Sequence, residues 1–191
     1  MATEYAGSRI GSDELPSVVE LLRAFRAPVD GRGPAHGRHR PVLDAAHELV
    51  GCHERRYLAL AAAHAPGAGS DQRAHYSQLV DDIDAERAKQ VAGIDIWVAD
   101  NIAHRSGASL HTETLGAVID RMAAKWVAAQ DALGLPCTAV KSGARTRAGI
   151  GGPHGVDAQA HLHWVQLAEL ADGYKDLITD VTEHRRRLPV F

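Results

Sequence analysis

Little in this chain is aromatic, sulfur-bearing or strongly charged, and each shortage excludes something. Its 191 residues include two cysteines, Cys52 and Cys137. They lack CxxC spacing, so neither a disulfide framework nor a thiolate zinc site is indicated, and a reducing, cytoplasmic setting is expected. Aromatic residues make up 5% of the chain, and alternating β-branched runs are absent, which argues against strands. No apolar run reaches the roughly 18 residues that suggest a membrane span, and the opening MATEYAGSRIGSDELP has no apolar signal-like stretch. No membrane association is expected. The formal net charge of −3 gives no electrostatic reason to bind nucleic acid.

What is present favours helix. Alanine, leucine, arginine and glutamate recur at spacings of three and four nearly throughout, the period of an amphipathic helix. SDELPSVVELLRAFR predicts a short helix capped at Ser12 or Asp13, with Pro16 in its first turn and its end near Ala27. A second helix is expected from about Pro41 to His64, and a third from Ser70 or Asp71 to about His104. A fourth should run from about Thr112 to Leu133, and a last one from about Val156 to Leu188. The Gly- and Pro-rich stretches 28–40 and 134–155 read as irregular connections. The whole of 1–191 is expected to be one all-α domain, an antiparallel helical bundle of four long helices plus a short N-terminal helix.

Polar side chains interrupt the apolar stripes. In LVGCHERRYLAL, residues 49–60, Leu49, Val50, Tyr57 and Leu60 share one side of a helix. His53 lies near the middle of that stripe, Arg56 at its edge, and His64 on the same line. On the third helix Arg87 falls in angle between Val80 and Ile94, with Gln90 beside it and Asp84 towards the edge. On the last helix His163 shares a face with Leu167, Leu170 and Tyr174.

An unpaired buried guanidinium costs on the order of several kcal/mol. Arg87 is therefore expected to be buried against a carboxylate, with Asp84, Glu54, Glu113 and Asp120 as candidates. Two readings stay open. Ion pairs across the bundle could simply fix its register, or His53 and Arg87 could share a polar pocket between helices, where bundles build ligand sites. In the second reading His53 and Arg87 are the candidate catalytic pair, His53 acting as a base near neutrality. Arg56, Asp84, Gln90, Glu113, Asp120 and Arg121 are then the candidate ligand-binding residues.

Twelve histidines invite a search for metal sites. The rings of HLH, residues 161–163, point about 200° apart on a helix. HELVG and HERRY fail the HExxH pattern at Gly51 and Tyr57, and Glu-x-x-His does not occur. No metal or other cofactor is expected. KSGARTRAGIGGPHG, residues 141–155, offers Lys141, Arg145 and Arg147 to an anion, but lacks the GxxxxGK[ST] order and reads as a surface loop. EHRRRLP, residues 183–189, reads as a solvated helix end whose cations suit the dipole. No serine carries a local nucleophile signature.

Two segments together resemble a known family. They are DAERAKQVAGIDIWV, residues 84–98, and HTETLGAVIDRM, residues 111–122. They resemble the bacterial domain-of-unknown-function family numbered 4254. That family carries Asn-Gln-x-Arg-Asn-Asp leading into Ile-Asp-x-Trp, then Glu-Thr-Pro-Gly and a following Asp-Arg-Leu. Arg87, Ile94, Asp95, Trp97, Glu113, Thr114, Gly116, Asp120 and Arg121 stand at matching positions, and the family's Trp-His corresponds to Cys52-His53. The chain departs at Asp84 for the first Asn, Ala88-Lys89 for Asn-Asp, Leu115 for the proline and Cys52 for the tryptophan. The resemblance covers about residues 42–133. It implies a helical fold and a divergent member, and it implies no reaction.

Three roles are compatible with these features. The chain could be a helical partner or accessory subunit, or a homo-oligomer, in a small-molecule pathway such as one making a specialised metabolite. It could instead be an enzyme or binding protein for a small polar or anionic metabolite. Or the polar pairs could serve helix register alone. The departures at Ala88-Lys89 weigh towards the partner, the polar cluster towards the metabolite.

Overall fold

The computed structural model describes residues 15–28, 37–103, 105–134 and 153–189. Its elements, in chain order, are α1 (Val18–Arg26), α2 (Arg40–Ala63), α3 (Ser70–Asn101), β1 (Ser109–Leu110), α4 (Leu115–Ala132), α5 (Pro153–Thr182) and β2 (Arg186–Arg187). Four longer helices and one short helix thus form a packed all-α bundle, as the periodicity predicts. Among the described residues the strand content is a two-residue parallel pairing of β1 with β2, Ser109 opposite Arg186 and Leu110 opposite Arg187.

The ends of the helices follow local hydrogen bonding. α1 is capped by Ser17, whose hydroxyl accepts from the Glu20 N–H at 3.3 Å while Glu20 accepts from the Ser17 N–H at 2.8 Å. This reciprocal box needs an acid or amide three residues after the cap, which Ser17 has and Ser12 and Asp13 lack. The cap is therefore Ser17, and Pro16 precedes the helix instead of opening it; Ser12 and Asp13 lie outside the described residues. α3 is entered through Gly69, not capped by Ser70 or Asp71. α4 is capped by Thr114, which accepts from the Ala117 N–H at 3.1 Å.

α5 stops at Thr182, well short of Leu188. His184 adopts a left-handed φ of 58°, and the Arg185 N–H turns back to the Asp180 carbonyl at 2.8 Å. EHRRRLP is thus a turn and a strand, not a helix end. Pairing with residues 109–110 and the Arg185–Asp180 ion pair at 2.7 Å take the place of further helix. The stretch 135–152, with Cys137, Lys141, Arg145 and Arg147, lies outside the described residues.

The core gathers Leu21 and Phe25 of α1, Leu43 and Leu49 of α2, Ile94 of α3, Ile119 and Met122 of α4, and Tyr174 of α5, all fully buried. Phe25, Trp126 and Trp164 form a row across three helices, with ring centroids 6.1 and 5.7 Å apart. The Tyr174 hydroxyl donates to the Pro16 carbonyl at 2.7 Å, and complete burial pushes its phenol far above the usual range. The periodicity of α4 predicts Leu115, Val118, Ile119, Met122, Trp126 and Ala129 as its inner face; all are buried except Trp126, which is half-buried. The face predicted for α3, Tyr76, Leu79, Val80, Ile83, Val91, Ile94, Trp97, Val98 and Ile102, holds only in part, because within the helix only Ile83, Ile94 and Val98 are buried, while Leu79 stays 37% exposed. Tyr57 on α2, expected inward, is 45% exposed. Both lie towards the α2–α3 connection, where these two helices outrun the rest of the bundle. Among the described residues no helix is long and apolar enough to cross a membrane.

The position of α4 against α3 depends on one missing side chain. A Cβ on Gly116 would meet the Val91 carbonyl oxygen at 2.5 Å and Asp95 Oδ1 at 2.9 Å. The Gly116 N–H donates to that same Asp95 oxygen at 2.8 Å. Thr114 bonds Asp95 as well, so one carboxylate on α3 holds the first turn of α4 and complements its dipole. Gly116→Ala should then lower unfolding free energy by about 1–3 kcal/mol in urea titrations, through overpacking against backbone. Gly93, on an exposed stretch of α3, has nothing within 4 Å of its added Cβ. Gly93→Ala should raise stability by about 0.5–1 kcal/mol in the same assay.

Candidate functional site

The polar intruders of three helices meet. Asp84, Arg87, Val91 and Asp95 lie along one stripe of α3 at helical spacing. His53 and Arg56 of α2 face the first part of that stripe, and Asp120 of α4 lies one turn beyond Gly116. His53 Nε2 is 2.8 Å from Asp120 Oδ1, and Arg87 Nε is 3.3 Å from the same oxygen. Arg87 Nη1 donates to Asp84 Oδ1 at 2.6 Å. Arg56 Nε donates to both Asp84 oxygens, at 3.0 and 3.1 Å. The result is a continuous seam, His53–Asp120–Arg87–Asp84–Arg56, stitched across α2, α3 and α4.

Burial along the seam is graded. The His53 and Asp120 side chains are 13% and 18% exposed, whereas Arg87, Asp84 and Arg56 are each about one-third exposed. Arg87 is therefore half-buried, not buried as its wheel position predicts. Its guanidinium reaches to the edge of the apolar stripe, where Asp84, three residues earlier, already waits. The expectation that it meets a carboxylate holds twice over, with Asp84 and Asp120.

The remaining candidates divide. Glu113 and Arg121 form a forked pair of their own, at 2.9 and 2.7 Å, with both side chains well exposed. They stand outside the seam. Gln90 is half-buried on α3 and makes none of the seam's bonds. Glu54 is buried on α2, but Arg87 is not bonded to it. His64 is exposed and bonds the Leu60 carbonyl of its own helix. Cys52, at the family's tryptophan position, is buried, and burial pushes its thiol up despite Arg55 Nη2 at 3.4 Å. Among the described residues no group of three or more His, Cys, Asp or Glu is placed to hold a metal ion.

A groove of about 530 Å³ opens between α3 and α4 beside the seam, lined by Arg87, Ala88, Val91, Ala92, Asp95, Ile96, Ala117 and Asp120. Asp120 thus joins two environments, touching His53 on one side and the groove on the other. An ionised carboxylate can only accept, so the His53 tautomer that fits carries its proton on Nε2 and, when neutral, keeps a lone pair on Nδ1. A carboxylate orienting an imidazole in this way is the arrangement general bases use. The seam's two guanidinium charges are matched by its two carboxylates, leaving no cation without a partner.

Asp95 is the groove residue that the search for polar intruders passes over. The signal lies in the i, i+4, i+8 spacing of Arg87, Val91 and Asp95. Burial raises its carboxyl above the ordinary aspartate range, and the Gly116 N–H and Thr114 bonds only partly offset this.

A packed all-α bundle with a charged seam through its middle and an open groove alongside is the class these features define. Within it, the chain belongs to the family described as protein of unknown function (DUF4254), whose model matches residues 43–190. The kinship therefore runs through α5 to β2, well past residue 133, where the motif-based resemblance ends. No curated protein and no solved structure matches the chain.

Two outcomes follow for stability. Asp120→Ala deprives His53 and Arg87 of one acceptor and should cost about 1–3 kcal/mol by chemical denaturation. Arg121→Ala breaks only an exposed pair and should stay within about 1 kcal/mol of wild type. Asp95 sets a pH dependence. Because folding raises this carboxyl's proton affinity, the native state binds more protons than the unfolded chain just above the ordinary aspartate range, and stability there falls as pH rises. Asp95→Asn keeps an acceptor for the Gly116 N–H without the buried charge. Urea titrations from pH 4 to pH 7 should show the variant gaining on wild type as pH rises; a constant difference would refute this.

Proposed function

We propose that the chain binds a small polar metabolite in the α3–α4 groove through Asp120, the carboxylate that His53 holds in place. The observation that carries this reading is the Asp120 carboxylate, which orients His53 and at the same time lines the groove. Both arginines of the seam are engaged by carboxylates, and the groove presents Asp95 and Asp120 against Arg87 alone. That balance favours a ligand rich in hydroxyl or amine donors over an anionic one. Ala88, Val91, Ala92 and Ala117 supply an apolar wall for its carbon skeleton.

A second reading is a helical accessory subunit in a cytoplasmic small-molecule biosynthetic pathway. It is supported by Ile96, which is 60% exposed on the groove's rim and would suit a protein partner.

Thermal-shift screening against polyhydroxy and amino metabolites tests the first reading. A true ligand should raise the melting temperature of wild type and leave Asp120→Asn and His53→Leu unshifted. His53→Leu should itself melt near wild type, because leucine refills the volume without the ring nitrogens. Hits that shift all three proteins equally would remove the site from the groove. A stoichiometric protein and no small molecule in a pull-down from native extract would favour the accessory subunit.

A further inference from the structure

The α2–α3 connection carries a second groove, on a part of the molecule that the proposed metabolite site does not use. From Ser70 to Asp82, α3 has no buried residue. Tyr76 and Val80 of this stretch, with Leu60 and Ala63 of α2, line an open groove of about 550 Å³. Its charged members are set apart along α3: Arg73 towards the tip, Asp81 towards the bundle, and Ser77 midway between them. Neither the Arg73 nor the Asp81 side chain has an ion pair or hydrogen bond within the chain among the described residues.

That order of charges is self-complementary. At a rise of about 1.5 Å per residue, Arg73 and Asp81 lie roughly 12 Å apart on one helical stripe, equidistant from Ser77. If two α3 helices cross antiparallel at Ser77, Arg73 of each copy meets Asp81 of the other. An isologous contact requires just such a patch, in which residue i meets j and j meets i. Tyr76 and Val80 then flank the axis and supply the apolar contact, and the small Ser77 lets the helices approach. An anionic membrane is a poorer occupant, since the stretch bears Asp71, Arg73, Asp81 and Asp82, more acid than base. We infer that this arm is a homodimer interface, the second copy seated by two reciprocal Arg73–Asp81 pairs around Ser77.

Sedimentation velocity with charge-reversed chains tests this. Wild type should sediment as a dimer at high micromolar concentration. Arg73→Glu alone sets acid against acid at both contacts, and Asp81→Lys alone sets base against base, so each should sediment as a monomer. Mixed one to one, the two variants restore both attractive pairs and should form a heterodimer, detectable by labelling one of them. Both positions are exposed, so circular dichroism should show unchanged helix in each. A monomeric wild type, dimers that survive either reversal, or a mixture that stays monomeric would each overturn the proposal. Because none of these variants touches the α3–α4 groove, failure here leaves the metabolite reading standing, and failure there leaves this one.

Discussion

The carbonyl of Val91 occupies the space a side chain on Gly116 would need, and much of the molecule's polar architecture rests on that closeness. With α3 and α4 in near-backbone contact, Asp95 reaches the first turn of α4 and accepts the Gly116 N–H at 2.8 Å. One turn further along α4, Asp120 is brought within bonding distance of Arg87 on α3 and His53 on α2. Holding the helices further apart would take the Gly116 N–H from Asp95 and Arg87 from Asp120 at partial burial, leaving Arg87 with Asp84 alone. The glycine thus sets the distance, and the charged seam is affordable only at that distance.

This separates two jobs within the family's motif. Ile94 is buried, Asp95 and Thr114 hold the start of α4, Gly116 sets the approach, and Trp97 donates its indole N–H to the Arg38 carbonyl at 3.1 Å. These residues build the scaffold. Arg87 and Asp120, paired with each other within the seam, also line the open groove. A motif read as a single signature is therefore mostly structural in content.

The helical class and the approximate helix spans are legible in the sequence because period-three-and-four burial leaves a direct trace. α4 shows this best, since its predicted apolar face is its buried face but for the half-buried Trp126. The same wheel misleads for Tyr57 and Leu79, because periodicity reports what a helix could bury and not whether a neighbour reaches that far. The meeting of His53, Arg87 and Asp84 could be anticipated from their intrusion into apolar stripes. The choice of Asp120 over Glu54 or Glu113 could not, because it depends on the relative rotation of α2, α3 and α4. Nor could the end of α5 be read, where pairing with residues 109–110, distant in sequence, overrides local helix preference.

The groove wall is built from side chains that the core does not need. Ala88, Ala92 and Ile96 are exposed and Ala117 is only half-buried, and none of them bonds to the seam. Drift at these four positions reshapes the opening without touching Asp95, Gly116 or Asp120, so the shape of the groove can change on this scaffold almost independently of folding.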